Sequence, residues 1–243
     1  MTAGHLGLVV AIIALATVVQ GVSGFGFSLA SMPLLAALLG VEKALAIQTT
    51  LGIASNASTA WRARSAILRA TAARMLAAMV AGMPFGWLML DHVSGHDLKL
   101  LVGIVVGVLA LLLACRVRIR FTGVAVDFVS GFFSGVLSTS TGTNGPPLVI
   151  GLSGRHLPAA QSRATLSTCF AVANVIVFAA LLFSGRIDRT VITAVAVSMP
   201  VLLFASSLGH GIFGRLHQHH YERIVVVLLF ASAAVAIASA LTD

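Results

Sequence analysis

The sequence predicts an all-α integral membrane protein built from two repeats. Three observations support this fold class: the composition, the division into apolar segments, and one interruption of similar type in each half. Of the 243 residues, 58% are hydrophobic and only 9% are charged, and the mean hydropathy is +1.04. Soluble domains contain about 25% charged residues, so this chain has too few polar residues to cover a water-soluble core. The lipid bilayer is therefore an expected partner.

The basic charge of the chain does not indicate nucleic acid as a partner. The formal net charge is +8, but the 15 Lys and Arg residues lie in short runs between apolar segments. Basic residues in such places set the orientation of membrane helices. Cys115 and Cys169 have no metal-type spacing, and the histidines at 217–220 are interpreted as part of a solvated loop. We therefore predict no bound metal and no cofactor.

Hydrophobic runs and helix breakers divide the chain into ten segments. They cover residues 4–19, 27–39, 44–60, 74–90, 99–115, 122–137, 147–153, 164–183, 190–208 and 223–241. A helix that crosses the hydrocarbon core needs about 20 apolar residues, so the chain has room for about six to eight spans with short loops. The sequence predicts one transmembrane domain, with a first repeat at residues 1–120 and a second at 121–243.

Each half contains one break in its hydrophobic sequence. The first break is Gly21–Ser28 and the second is Ser138–Pro147. Gly, Ser, Thr and Pro cannot continue a regular helix inside a bilayer without leaving backbone N–H and C=O groups unpaired, and lipid offers them no partners. Paired breaks at corresponding positions of two halves are typical of the binding site of a membrane transporter.

The two halves correspond position by position. Pro33 recurs 114 residues later as Pro147, and Asn56 recurs 118 residues later as Asn174. A hydroxyl residue stands seven positions before each asparagine, and this spacing places both members of a pair on one helical face. The pairs are Thr49 with Asn56 and Ser167 with Asn174.

The distribution of basic residues distinguishes two topologies. If both broken segments cross the membrane, the chain has eight spans in parallel repeats and nine of the 15 Lys and Arg residues share one side. If both turn back, each of two inverted repeats has three transmembrane helices and one broken re-entrant hairpin, and eleven basic residues share one side. The positive-inside rule favours the second arrangement, with six spans and both termini outside.

Donor groups at and beside the two breaks form the predicted binding site for a small anion. A helix that stops and restarts in the membrane presents free N–H groups and the positive end of a dipole, which favour an anion. Hydroxyl and amide side chains add neutral donors, although asparagines between helices also serve as interhelical hydrogen-bond partners. The predicted site residues are Gly21, Ser23, Gly24, Gly26, Ser28, Thr49, Asn56, Ser140, Thr141, Gly142, Thr143, Asn144, Ser167 and Asn174.

Asp127 is the acidic residue that the segment boundaries place within the membrane. A carboxylate is costly there unless it is paired or wetted, so Asp127 is a candidate for coupling transport to protons. The alternative is an interfacial residue that nearby arginines such as Arg116–Arg120 satisfy. Arg163 opens a later helix and either attracts anions to the mouth of the site or only sets the topology.

These motifs resemble the TauE/SafE family of sulfite exporters and related anion permeases. The resemblance rests on the run at residues 21–27, on Pro33, on the segment at residues 48–56, and on their counterparts in the second half. It covers nearly the whole chain. It implies transport of sulfite, sulfoacetate or other small sulfur-containing or organic anions across the inner (plasma) membrane.

Two other functions compete with a carrier. An anion channel could share all of these residues. Gly21–Gly24 also matches the Gly-x-Ser-Gly around the nucleophile of rhomboid-like intramembrane serine proteases. That chemistry needs a histidine within hydrogen-bonding distance, whereas the histidines here lie in loops or at segment ends, so we predict no enzyme. The sequence leaves open the anion, the direction of transport, the coupling ion and a possible homodimer.

Overall fold

The computed structural model describes residues 3–23, 26–115, 122–155, 157–212, 227, 230–235 and 237–241, which are helical between short turns and include no strand. The helices are α1 (Ala3–Ser23), α2 (Phe27–Leu39), α3 (Val41–Arg62), α4 (Arg69–His92), α5 (Gly95–Ala114), α6 (Val124–Ser140), α7 (Gly145–Ser153), α8 (Ala159–Phe183) and α9 (Arg189–Ile212). Further helical residues lie between 230 and 241.

The prediction of an all-helical fold is confirmed, and the described part of the chain includes apolar helices compatible with a membrane protein. Each of the nine predicted segments up to residue 208 corresponds to one helix, with bounds that differ by a few residues. Within the described residues, four helical stretches are long and apolar enough to cross a membrane: Gly4–Gly21, Arg69–His92, Ala159–Phe183 and Arg189–Ser206. Part of the tenth segment, the histidines at 217–220 and the run Arg116–Arg120 lie outside the described residues.

Helices α6 and α7 form a hairpin whose two outer ends lie together. Arg155, which follows α7, donates to the carbonyl oxygen of Gly123 (3.2 Å), which precedes α6. The Arg155 guanidinium also pairs with Asp127 in the first turn of α6. Between the helices the chain reverses at Gly142, whose φ of 65° lies in the left-handed region that favours glycine.

Polar contacts join the ends of the long helices in two clusters. In the first cluster, the Arg186 end, the starts of α3 and α9 meet the ends of α4 and α8. Its residues are Glu42, Lys43, Asp91, Arg186 and Asp188, with Arg186 paired to Asp91 and Glu42 and Lys43 paired to Asp188. The Val191 N–H donates to Asp188 (2.8 Å), and this bond together with Lys43 lowers the pKa of the Asp188 carboxyl.

The second cluster, the Asp127 end, holds the start of α4, both outer ends of the α6–α7 hairpin and the start of α8. Arg74 pairs with Asp127 (2.8 Å), and the N–H of Leu68, just before α4, donates to Thr165 (3.1 Å). Helices α3 and α9 therefore run away from the Arg186 end, and α4 and α8 run from the Asp127 end toward it.

The packing between the halves is reciprocal. Helix α4 of the first half packs against α6 of the second, and α9 of the second half packs against α1 of the first. Helices α3 and α8 pack against each other, and they also contact α9 and α4 respectively. The sequence correspondence matches α1 with α6, α3 with α8 and α4 with α9. Exchanging the halves therefore leaves this set of contacts unchanged, with the α3–α8 contact at its centre.

Glycines allow α4 and α6 to approach until their backbones touch. A Cβ added at Gly135 would overlap the carbonyl oxygen of Met79. Overlap with a backbone carbonyl of the facing helix also occurs at Gly82, Gly86 and Gly131. Pairs of small residues four positions apart allow such close helix packing in membranes, and Gly82 with Gly86 and Gly131 with Gly135 have this spacing on α4 and α6.

We expect Gly135→Val to destabilise the protein by about 3 kcal/mol, the upper part of the range for overpacking, because the obstructing atom is backbone and cannot rotate away. Gly107→Ala is the matched control, since a Cβ there meets only the Ala233 Cβ at an ordinary 3.7 Å. Thermal unfolding of the purified proteins in detergent measures both. An unfolding temperature of the Gly135→Val protein equal to that of the Gly107→Ala protein would contradict the backbone contact.

Candidate functional site

The second break, residues 141–144, is enclosed by protein. Thr143 is fully buried and Asn144 is 3% exposed, and Ser134 of α6 donates to the Asn144 carbonyl oxygen (2.6 Å). The backbone N–H groups of residues 142–145 donate to no acceptor in the described part of the chain. The next two residues are prolines and have no N–H. The available backbone donors are therefore concentrated in these four consecutive residues.

The hydroxyl groups at this break have hydrogen-bond acceptors within the protein. Ser140 donates to the Val136 carbonyl oxygen (2.8 Å), and Thr141 donates to the Leu137 carbonyl oxygen (3.1 Å). The Thr141 and Thr143 oxygens lie 2.7 Å apart. Either hydroxyl can be the donor in this last bond, and Thr143 is the donor when the Thr141 proton goes to Leu137. The hydroxyls of Ser140 and Thr141 thus have acceptors within the protein, whereas the N–H groups of residues 142–145 have none in the described part of the chain.

Gln48 of α3 faces the second break. A Cβ added at Gly142 would lie 2.9 Å from Gln48 Oε1 and 3.3 Å from Met32 Sδ. Gln48 is 2% exposed, and its Oε1 is buried without a hydrogen-bond partner. Sequence reasoning did not select Gln48 as a site residue. The sequence does carry a signal for Gln48, because its amide side chain lies in an apolar segment directly before the predicted site residue Thr49.

The first break is described only in part. Gly24 and the side chain of Ser23 lie outside the described residues. Gly26 precedes α2, and Ser28 is buried in the first turn of that helix. At the end of α1, Arg163 of α8 donates to the carbonyl oxygens of Gln20 (3.3 Å) and Gly21 (2.5 Å). A cation at the C-terminal end of a helix is stabilised by the negative end of the helix dipole.

Asn56 belongs to a closed hydrogen-bond network between α1 and α3. Its Oδ1 accepts from Gln20 Nε2 (2.9 Å), and its Nδ2 donates to the Gly52 carbonyl oxygen (2.9 Å). Ser55 donates to Gln20 Oε1. Both ends of the Asn56 amide are therefore engaged within the protein, as expected of an asparagine that joins helices.

Asn174, the counterpart of Asn56, has no such network. It packs against Gly52, where an added Cβ would overlap Asn174 Nδ2, and its amide forms no hydrogen bond within the described residues. Ser134 and Ala173 stand at the positions that correspond to Gln20 and Ser55. The side chains that hold Asn56 are thus missing from the second half. Ser167 lies on the same helical face as Asn174, and its Oγ is likewise buried without a hydrogen-bond partner.

The predicted residues lie at different levels along α3. The second break contacts Gln48, whereas the end of α1 contacts Ser55 and Asn56. Seven residues of helix correspond to about 11 Å. The contact between Gly52 and Asn174 lies between these levels. The structure therefore brings the second break close to α3 and places the end of α1 about two helical turns away.

Asp127 forms an ion triad at the Asp127 end. The side chain is fully buried, and its carboxylate pairs with Arg74 of α4 and with Arg155 after α7. Arg155 also donates to Thr71 of α4 (3.0 Å). The two guanidinium groups compensate the buried charge and tie α4 to both outer ends of the α6–α7 hairpin.

Apolar helices of spanning length and a buried break between α6 and α7 are features expected of a membrane transporter. The chain belongs to the sulfite exporter TauE/SafE family, whose model matches residues 9–236. It is also 27% identical over 215 residues to the probable sulfite/organosulfonate exporter TauE of Cupriavidus necator, which covers 82% of this chain and 80% of that protein. No solved structure matches the chain.

Membership of this family confirms three predictions made from the sequence: the family itself, a role in membrane transport of an anion, and the absence of an enzymatic function.

We expect Asp127→Asn to lower the free energy of unfolding by about 2 kcal/mol. Breaking a fully buried ion pair costs about 3–5 kcal/mol, but Arg74 is 30% exposed and water can partly solvate it after the change. Thermal unfolding in detergent measures the effect. The double variant Asp127→Asn with Arg155→Gln should lose less stability than the sum of the two single variants. Additive losses would contradict the coupling of these two side chains.

Proposed function

We propose that this protein is a secondary transporter for sulfite, organosulfonates or related small sulfur-containing or organic anions in the inner (plasma) membrane. Family membership supports an anion exporter, and the relative from Cupriavidus necator is named for sulfite and organosulfonate. The observation that carries the binding site is the second break, where the unpaired N–H groups of residues 142–145 lie in the protein interior beside Gln48.

Neutral donors suit a site that must release its ligand. A hydrogen bond to a charged group contributes about 1.5–3 kcal/mol, so three or four N–H groups offset much of the cost of removing water from an anion. The helix dipole of α7 adds to this attraction at its N-terminus. An arginine in direct contact would bind more tightly and release the anion more slowly.

Asn144 and Asn174 are the side chains that best complement these backbone donors. Asn144 precedes α7 but makes no side-chain capping hydrogen bond. Asn174 lies on the face of α8 that packs on α3, and its amide has no partner there. The remainder of the path is proposed to include Gly21, Gly26, Ser28 and Thr49, together with Ser167, whose hydroxyl is unpartnered.

The two repeats are proposed to be inverted, with six spans and two re-entrant hairpins. The outer ends of α6 and α7 meet at the Asp127 end. Helix α2 leads through Gly40 into α3 at the Arg186 end, whereas α1 ends beside Asn56, nearer the Asp127 end. These contacts support hairpins that open toward opposite ends. The positive-inside rule then assigns the arginine-rich Asp127 end to the cytoplasm.

Protons are proposed as the coupling ion, with Asp127 as the candidate carrier. The triad sets a condition on this role, because a carboxylate held by Arg74 and Arg155 must separate from at least one of them before it takes up a proton. Loss of gradient dependence in Asp127→Asn, with anion exchange retained, is the expected result if protons move through this residue.

Reconstitution into liposomes tests the proposed function. The panel comprises sulfite, sulfoacetate, sulfate and short carboxylates, each with and without an imposed proton gradient. We expect saturable uptake of sulfur-containing anions and stimulation by substrate on the opposite side, as a carrier requires. Flux that does not saturate would indicate a channel, and the absence of flux for every anion would contradict anion transport.

Asn144→Ala should weaken the apparent affinity for the transported anion about tenfold, which corresponds to roughly 1.4 kcal/mol. Because Asn144 makes no capping bond, its stability should stay close to that of the wild type. The half-saturation concentration in proteoliposomes and the unfolding temperature in detergent provide the two measurements. A wild-type half-saturation concentration would place the site elsewhere.

Asn174→Ala and Asn56→Ala form a matched pair on corresponding positions. We expect Asn174→Ala to raise the half-saturation concentration several-fold with little loss of stability, because its amide has no partner in the protein. Asn56→Ala should instead lower the free energy of unfolding by about 1–3 kcal/mol, since it leaves the buried Gln20 Nε2 without an acceptor. The same pattern of effects in both variants would contradict the assigned difference between the two halves.

A further inference from the structure

Gln48 presents an acceptor, rather than a donor, to the second break. Its amide oxygen is buried and unpartnered, and it lies 2.9 Å from the position of a Cβ on Gly142. Leu45 and Met32 also border Gly142 and supply a methyl group and a thioether in place of a donor. A buried acceptor without a partner is costly, and no described residue donates to this one.

The hydroxyls of the break strengthen this acceptor character. When the Thr141 proton goes to the Leu137 carbonyl oxygen, the Thr143 proton goes to the Thr141 oxygen 2.7 Å away. In this arrangement both oxygens offer lone pairs to a ligand. The break thus combines a row of N–H donors at residues 142–145 with acceptors on neighbouring side chains.

This combination is complementary to an anion that also carries a hydrogen-bond donor. A sulfonate or sulfite oxygen accepts from the N–H groups, but a fully deprotonated, unsubstituted anion has no proton to offer the Gln48 oxygen. Hydrogen sulfite has one acidic proton, and hydroxyalkane- and aminoalkanesulfonates have O–H or N–H groups. Such ligands satisfy both sides of the break at once.

We propose that Gln48 is a specificity-determining residue that selects anions bearing a hydrogen-bond donor over anions of the same size without one. This inference rests on the proposed function as a transporter of sulfur-containing anions. The corresponding position in the second half is Leu166, which is apolar. The selecting amide is therefore present in one half only, and Gln48→Leu copies the residue that this helix position carries in the other half.

A pair of competitors that differ by one hydroxyl tests the proposal. Exchange of labelled sulfite is measured in proteoliposomes, with isethionate (2-hydroxyethanesulfonate) or ethanesulfonate as the competitor. For the wild-type protein we expect isethionate to inhibit at an about tenfold lower concentration than ethanesulfonate. For Gln48→Leu we expect this difference to disappear while inhibition by ethanesulfonate persists.

Thr50→Val is the control on the same helix. The Thr50 hydroxyl donates to the Ala46 carbonyl oxygen of its own helix (2.7 Å), so its loss removes a polar group from α3 without touching the break. The tenfold difference should remain in this variant. Gln48→Met, which keeps the length of the side chain, replaces Gln48→Leu if the latter does not elute as a single species in detergent.

Three other results would overturn the inference about Gln48. Equal inhibition of the wild type by both sulfonates overturns the selection by Gln48 and leaves the proposed function intact. An equal loss of inhibition by both sulfonates in Gln48→Leu would show that the amide donates to the sulfonate group, which also overturns the inference. Absence of sulfite exchange by the wild type overturns the proposed function and this inference with it.

Discussion

A backbone break inside a bilayer requires protein around it, because hydrocarbon cannot hydrogen-bond to its N–H and C=O groups. The rest of the fold follows from this constraint. Helix α3 covers the second break through Gln48 and Leu45, and α4 packs against α6 of the α6–α7 hairpin. The glycines on α4 and α6 bring the two backbones together, and the Asp127 triad closes the same contact at its polar end. The unpaired N–H groups are thereby kept from lipid and remain available to a ligand.

Corresponding helices of the two halves pack in a reciprocal way, but the halves differ in their polar side chains. Reciprocal packing of α4 with α6 and of α9 with α1 requires only that both halves keep their apolar faces. The polar positions have not been kept in the same way. Asn56 is bonded to Gln20, whereas Asn174 faces Gly52 without a partner, and the glutamine at position 48 corresponds to a leucine at 166. The polar groups of the described residues are therefore distributed asymmetrically between the two halves.

Sequence reasoning predicted the helices and the breaks because the signals for both are local. The length of an apolar run and the position of Gly and Pro decide where a membrane helix starts and stops, whatever surrounds it. The partners of polar groups were not predictable in this way. Asp127 was expected to meet nearby arginines, and the described structure pairs it with Arg74 and Arg155, which lie 53 and 28 residues away. The hydroxyls of Ser140 and Thr141 were expected to face a ligand, but their protons go to carbonyl oxygens one turn earlier, a common alternative for Ser and Thr in helices.

The two kinds of contact between the halves differ in how easily they can change. The α4–α6 contact is backbone against backbone, so sliding one helix along the other would drive carbonyl oxygens into glycine Cα atoms. The ion pairs at the Arg186 end join partly exposed side chains such as Lys43 and Asp188, and pairs of this kind contribute little to stability because water replaces them at small cost. A change of shape that opens a path to the break is therefore expected to separate the Arg186 end while α4, α6 and α7 stay together as one body.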